Sequence, residues 1–495
     1  MKKIISFLLI IATCICLTGC AKNSEIQTLS QNLTTYNMSL EFNNEDKTLT
    51  GINKVEYTNT SNDELANVYF HLYPNAFREN AKASVVSLSN TQKAYPNGKS
   101  YGKIDINECK VKGNTTKFSI GGEDENILIV DLNGQLKPKA KTTIEISYVV
   151  TIPNINHRFG YGNNTINLGN FYPIACMYEN GNFVTDLYHY NGDPFYSDIA
   201  NYNVEIKYNK NLTLATSGNI INTSEEGSTK VTTANAISIR DFAMVLSDKF
   251  NVKEAEVNGT KILYYYYGDT NPEKSLLTAS DSIKTFNKLF GTYPYETLSV
   301  VESNFVHGGM EYPRLILISD DIEAHDDYIN VIIHETAHQW WYGMVGNNEY
   351  KYGWLDEGLT EYSTALFYEK NPSYNKSKDD IIKNANANYA LYIEVYSAVY
   401  KEVDTSMNRA LNEYKTEPEY VYIAYVKGML LFDNIREVVG DKKFFNGLQT
   451  YFENGKYKNN TPENLINAFN ESSKTDLSSL FNSWINGDIV IEKVA

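Results

Sequence analysis

Between about Tyr36 and Lys253 the chain alternates apolar and polar residues in short runs. Tyr36-Asn37-Met38-Ser39-Leu40-Glu41-Phe42 makes every second side chain apolar, and the stretches from Thr142 to Tyr148, Tyr202 to Ile206 and Leu212 to Leu214 follow the same rule. A period of two is the strand signal, and turn formers such as Asn191-Gly192-Asp193-Pro194 and Asn258-Gly259 punctuate it. The pattern predicts an all-β domain over residues 34–258. After about Thr260 the period changes. A strand from Ile262 to Tyr267 leads into a helical stretch around Pro272 to Phe290. Further strands are expected from Leu298 to Glu302 and from Leu315 to Ile318. From Tyr328 onward nearly everything reads helical, with Gly353, Gly428 and Gly440 as candidate breaks. Strands followed by helices predict an α+β domain over 259–495, so the chain is multidomain. No internal repeat is visible.

The first residues follow another logic. Lys2 and Lys3 precede an apolar run from Ile4 to Leu17, which is too short for an ordinary membrane-spanning helix. It ends in Leu17-Thr18-Gly19-Cys20, which resembles a bacterial lipobox. On that reading residues 1–19 are a signal peptide, Cys20 is lipidated, and the polar segment 20–33 is a tether. The location expected is extracytoplasmic, anchored by lipid to a bacterial cell membrane.

Composition narrows the classes. A chain of 495 residues is expected to hold more than one domain. A formal charge of −16 argues against nucleic-acid binding, which needs a basic face. A mean hydropathy of −0.39 points to a soluble globular body. Beyond Cys14, Cys16 and Cys20 only Cys109 and Cys176 remain, too few for a disulfide framework; whether they pair, and the oligomeric state, stay open.

The strongest chemical signal is His334-Glu335-Thr336-Ala337-His338, inside an apolar-periodic segment from Ile329 to Tyr342 that is long enough for a helix. Helical positions four apart stack on one face, about 40° apart in azimuth, so both imidazoles can reach one ion while Glu335 sits beside it. A catalytic zinc site needs a third protein donor and an open fourth position. Glu357 supplies the donor, in Trp354-Leu355-Asp356-Glu357-Gly358, on a second helix expected to start near Asp356. Cysteines, which usually close structural zinc sites, are absent from the neighbourhood. The expectation is one zinc ion held by His334, His338 and Glu357. Glu361, one turn after Glu357, is a candidate acceptor for the outer N–H of a ligating imidazole.

The pattern resembles the aminopeptidase N family of gluzincins, which also includes leukotriene hydrolase. The triad spacing, the Gln339-Trp340 that follows it and the Trp354 to Gly358 stretch carry the likeness. So does His307-Gly308-Gly309-Met310-Glu311-Tyr312-Pro313, which is similar to the family's Gly-Ala-Met-Glu-Asn exopeptidase motif. The resemblance implies that Gly308, Gly309 and Met310 run along the substrate and that Glu311 holds its free α-amine. Tyr312 stands where the family has Asn, which puts local packing and substrate preference in question. Ile423-Ala424-Tyr425-Val426-Lys427-Gly428 resembles the family's Tyr-x-Lys-Gly segment, which makes Tyr425 the candidate stabiliser of the tetrahedral intermediate; Tyr420 and Tyr422 are weaker substitutes. Tyr69 to Asn75 and Gly192 to Ser197 are similar to the secreted bacterial branch. The implied fold is a saddle-like β domain followed by a thermolysin-like catalytic domain. Many members continue into further domains that roof the site, so a more open cleft is expected here.

The expected reaction is removal of N-terminal residues from peptides with a free amine. Glu335 is the expected general base and Tyr425 the expected oxyanion donor. The rivals are a gluzincin endopeptidase with an open cleft, a catalytically silent lipid-tethered peptide-binding protein, and a hydrolase of another bond such as an epoxide. His307 either lines the substrate site or packs structurally. His71, His157, His189 and His325 read as structural or surface residues.

Overall fold

The computed structural model describes residues 25–489. The lipobox and Cys20 lie outside the described residues. The expected tether is corrected in its second half. Residues 25–30 are helical, Ile26 is buried, and its carbonyl accepts a hydrogen bond from Ser238 Oγ at 3.0 Å. Leu33 is buried as well, Lys456 Nζ pairs with Glu25 Oε2 at 3.0 Å, and the Asn201 amide donates to the Ser30 carbonyl at 2.9 Å, so the segment docks on the folded body.

The N-terminal region is built of sheets. The largest has eight strands, in spatial order Asn219–Glu226, Thr229–Ile239, Ala200–Asn209, Thr34–Asn43, Thr48–Thr58, Lys141–Thr151, Lys103–Val111 and Asn114–Thr115. Its alternation is the one the sequence carries: Tyr36, Met38, Leu40 and Phe42 face the core while Ser39, Glu41 and Asn43 face outward or stay partly exposed. Thr34–Asn43 pairs in parallel with Ala200–Asn209, opposing Tyr36 to Tyr202, and these two rings stack at 5.1 Å. Two four-stranded sheets and a two-stranded hairpin, Tyr178–Glu179 with Asn182–Phe183, make up the rest of this region. Cys109 and Cys176 are separate, buried free thiols.

A five-stranded sheet begins the second region, in the order Asn251–Val257, Thr260–Tyr266, Thr297–Ser303, Leu315–Ser319 and Gly309–Met310. Its first strand corrects the boundary expected at residue 258. Asn258 (φ 51°) and Gly259 (φ 75°) make a tight hairpin turn that pairs Asn251–Val257 with Thr260–Tyr266, so the turn lies inside the second sheet. The helix Pro272–Leu289 follows, capped by the Asn271 side chain, with Ala279, Ile283 and Phe286 buried. Gly309–Met310 closes the sheet as an antiparallel edge against Leu317 and Ile318, so its outer edge faces the cleft described below.

Helices form the remainder. His325–Ala337 and Glu349–Lys370 carry the metal motif, and a seven-residue π-helical stretch, Val421–Lys427, runs into Gly428–Val439. Gly440 (φ 78°) does break the helical run, whereas Gly428 does not. No helix among the described residues is long and apolar enough to cross a membrane.

Candidate active site

The helix His325–Ala337 has Asp326 and Asp327 in its first turn, where they complement the helix dipole, and buries Ile329, Ile332 and Ile333. It was expected to continue to Tyr342. It ends at His338, because the chain turns back at Trp341 and Tyr342 takes φ 117°. The turn has a use: the Trp341 carbonyl accepts the His338 Nδ1–H at 3.0 Å, and Thr360 Oγ1 lies 3.2 Å from the same nitrogen. That bond leaves the lone pair on Nε2.

The second helix starts earlier than expected. Asn348 caps it by accepting from Lys351 N at 3.1 Å, and a kink at Tyr352 (φ −133°, ψ 42°) redirects the chain before Glu357. Glu357 Oε2 lies 3.2 Å from His338 Nε2 and 3.4 Å from His334 Nε2, and the two Nε2 atoms are 3.2 Å apart. Donors at 2.0–2.1 Å from a tetrahedral zinc would be about 3.3 Å from one another, so this triangle has the size the ion needs. Two neutral imidazole lone pairs and a carboxylate aimed at one point repel each other unless a cation sits between them. The donor set fits zinc, and zinc is the cofactor of this site.

Glu335 lies against the triangle, with Oε2 buried and without a hydrogen-bond partner. Burial pushes its pKa up to about 7, although His334 and His338 pull the other way. Burial also works to raise the pKa of Glu357, but His338 and His334 outweigh it and hold that group down to about 2. The edge strand fits closely here: a Cβ at Gly309 would fall on the Glu335 carboxylate. Met310 is fully buried and the Gly308 carbonyl accepts from Ser319 N at 3.0 Å, so both hold the edge in place.

Glu311 is buried with Oε1 unpartnered, and its carboxylate lies within 4.8 Å of donor atoms on Glu335 and His338. Burial, reinforced by Asp193 and opposed by His338, raises its pKa well above the usual carboxylate range. Tyr425 Oη donates to Glu357 Oε1 at 2.5 Å, and its ring lies parallel to His334. Glu361 Oε1 is 3.5 Å from His334 Nδ1. Tyr312 turns away from the cleft: its hydroxyl donates to Asn170 Oδ1 at 2.7 Å and fills the space beside Gly169, tying the edge strand to the β region. His307 lines the cleft. His71 and His157 are buried, and His325 lies 3.3 Å from Asp269.

Other residues shape the site without a local signal of their own. The Gln339 amide donates to the carbonyls of Glu311 and Tyr312 at 3.3 and 3.2 Å and accepts from Arg314 N at 2.7 Å, pinning the edge strand to the metal helix. Asp193 comes within 4.8 Å of donor atoms on Glu311 and Glu357 and is paired with buried Arg158. The Asn191-Gly192-Asp193-Pro194 turn was visible, but the partner is 35 residues away. These residues enclose a cleft of about 390 Å³, lined also by Asn90, Tyr190, Glu417 and Val421.

Residues 275–484 match the Peptidase family M1 domain. Over 196 residues the chain is 31% identical to aminopeptidase N of Lactococcus lactis subsp. lactis, covering 37% of this chain and 22% of that protein. It is 28% identical over 223 residues to aminopeptidase B of Rattus norvegicus, covering 41% and 33%. The chain thus spans no more than a third of the length of these curated relatives. The crystal structure of an M1 zinc metallopeptidase from Deinococcus radiodurans superposes with a TM-score of 0.67 at 16% identity, covering 94% of this chain and 96% of that one, so the two share a fold.

Proposed function

We propose that this chain, whose residues 275–484 match the Peptidase family M1 domain, is a zinc-dependent aminopeptidase that hydrolyses the first peptide bond of substrates with a free N-terminus. The observation that carries the exopeptidase reading is the unpartnered, buried Glu311 carboxylate beside the metal triangle. A residue whose carbonyl meets the triangle would have its α-ammonium on the Glu311 side, since Glu311 lies within 4.8 Å of donor atoms on Glu335 and His338, and the Arg158–Asp193 pair lines the same cleft. An acylated N-terminus would leave Glu311 buried and unpaired, a cost that rejects blocked and mid-chain peptides.

Zinc, when bound, supplies a Lewis acid and lowers the pKa of water at the site. The rest falls to side chains. Glu335, buried beside the triangle with one carboxylate oxygen free of any hydrogen-bond partner, takes the proton of the attacking water and delivers it to the leaving amine. Tyr425 moves its hydroxyl hydrogen bond from Glu357 to the developing oxyanion, a contribution typically worth about 2.7–4 kcal/mol. Glu311 fixes the scissile bond one residue from the end.

The test is a panel of aminoacyl anilides, each paired with its N-acetylated form, with chelator and with zinc restored. Hydrolysis of free-amine substrates alone, lost on chelation and regained with zinc, supports the proposal. Equal or faster cleavage of blocked substrates would move the protein to the endopeptidase reading.

The lipid anchor rests on the sequence Leu17 to Cys20 alone. A Cys20→Ser variant that stays with the membrane fraction of the expressing bacterium would remove it.

A further inference from the structure

The cleft wall beyond Glu311 carries a carboxylate with no counter-charge. Glu417, the first residue of the short helix Glu417–Tyr420, lines the cleft with its side chain about a quarter exposed. Asn90, from the β region, donates to both of its oxygens at 3.2 Å, which fixes their orientation and leaves acceptor sites free. The nearest basic group is His307 Nδ1, at 3.9 Å from Oε1. Burial, helped by the charge of Arg158, lowers the His307 pKa to about 3, so the ring is neutral. Arg158 itself is taken by Asp193. Among the described residues no lysine or arginine pairs with Glu417.

The position of this carboxylate decides what meets it. Asp193 lies beside Glu311, Arg158 beside Asp193, and His307 is near enough to Arg158 to feel its charge while it borders Gly308-Gly309. Glu311, Asp193, Arg158, His307 and Glu417 all line this one cleft, with Asp193 between Glu311 and Arg158 and His307 next to Glu417. Glu361 flanks the metal triangle from the other helix.

We propose that Glu417, oriented by Asn90, selects peptides whose N-terminal side chain is cationic, lysine or arginine. This inference rests on the aminopeptidase reading and adds the substrate class. A charge-assisted hydrogen bond in a half-buried cleft favours lysine over an unbranched apolar side chain of similar length, and salt weakens the preference.

The experiment compares kcat/KM for lysyl, arginyl and methionyl anilides in the zinc-loaded wild-type enzyme and in Glu417→Gln, at low and high salt. The lysyl-to-methionyl ratio is read within one preparation, so any loss common to both substrates cancels. The expected result is a ratio of about tenfold or more in the wild type, falling several-fold in high salt and collapsing toward unity in Glu417→Gln. A wild-type ratio at or below unity overturns the inference and leaves the aminopeptidase reading standing. So does a ratio that survives the substitution. No turnover of any free-amine substrate overturns both.

Discussion

Gly358 and Gly428 face each other so closely that a Cβ on either would lie 2.7 Å from the other's Cα. Two helices cross there, one carrying Glu357 and the other continuing the π-helical stretch that carries Tyr425. The crossing lets the Tyr425 hydroxyl reach Glu357 at 2.5 Å. Only residues without a side chain allow that approach.

Gly428→Ala is therefore expected to push the helices apart. Overpacking of this kind costs about 1–3 kcal/mol of stability. It also moves Tyr425 away from the metal site, so kcat should fall with zinc affinity little changed. Thermal unfolding and steady-state kinetics on the same preparation check it. A variant with wild-type kcat would show that the crossing does not position Tyr425.

Glu335 is the second case. Its replacement by Gln keeps the side-chain shape and leaves the two imidazoles and Glu357 in place. Glu335→Gln is expected to lower kcat by about 10²–10⁴ while zinc stays bound. Measured zinc content separates this from loss of the site. Near-wild-type turnover would remove Glu335 as general base.

What the sequence shows and what it hides divide along the range of the interactions. His334, Glu335 and His338 were legible because helical periodicity alone places them. The helices after Thr260 were legible for the same reason. The end of the helix at His338 was not, since it depends on a turn at Trp341 and Tyr342 whose value lies in one carbonyl bonded to His338. Asn258-Gly259 reads as a turn, but its place inside a sheet and not at a domain boundary depends on strand pairing, which is not a property of the two turn residues. Arg158, Asn90 and Glu417 carry no local pattern, and the turn that holds Asp193 gives no sign of its partner Arg158, 35 residues away. Asn90 and Glu417 are 327 residues apart, and only the packing of the β region against the helices brings them together.

Lys427 makes a pH-dependent prediction. It is fully buried, and its ammonium donates to the carbonyls of Thr405 at 2.6 Å and Trp484 at 2.9 Å. Burial lowers its pKa from 10.5 to about 8, with Asp404 opposing and Arg409 adding to the shift. Between about pH 8 and 10.5 the unfolded chain therefore binds more protons at this residue than the folded one does. Stability from this group rises with pH across that window and is lost as pH falls through about 8. The difference in unfolding free energy between wild type and Lys427→Met should grow in favour of wild type over the same window. A flat difference in denaturant titrations at several pH values would contradict it.

The two ligating imidazoles are held unequally, and that inequality can be measured. His338 Nδ1 has the Trp341 carbonyl at 3.0 Å and Thr360 Oγ1 at 3.2 Å. His334 Nδ1 has Glu361, at 3.5 Å. Outer partners fix the tautomer and aim of a ligating ring, and losing one typically costs 10–100-fold in metal affinity. Glu361→Gln removes the charge that holds His334 and should weaken zinc binding by about that factor. Thr360→Val leaves the Trp341 carbonyl on His338 and should weaken it less. Chelator competition on both variants gives the order directly. Equal losses would mean that Thr360 carries His338 as much as the carbonyl does, and an unchanged affinity in Glu361→Gln would show that packing alone orients His334.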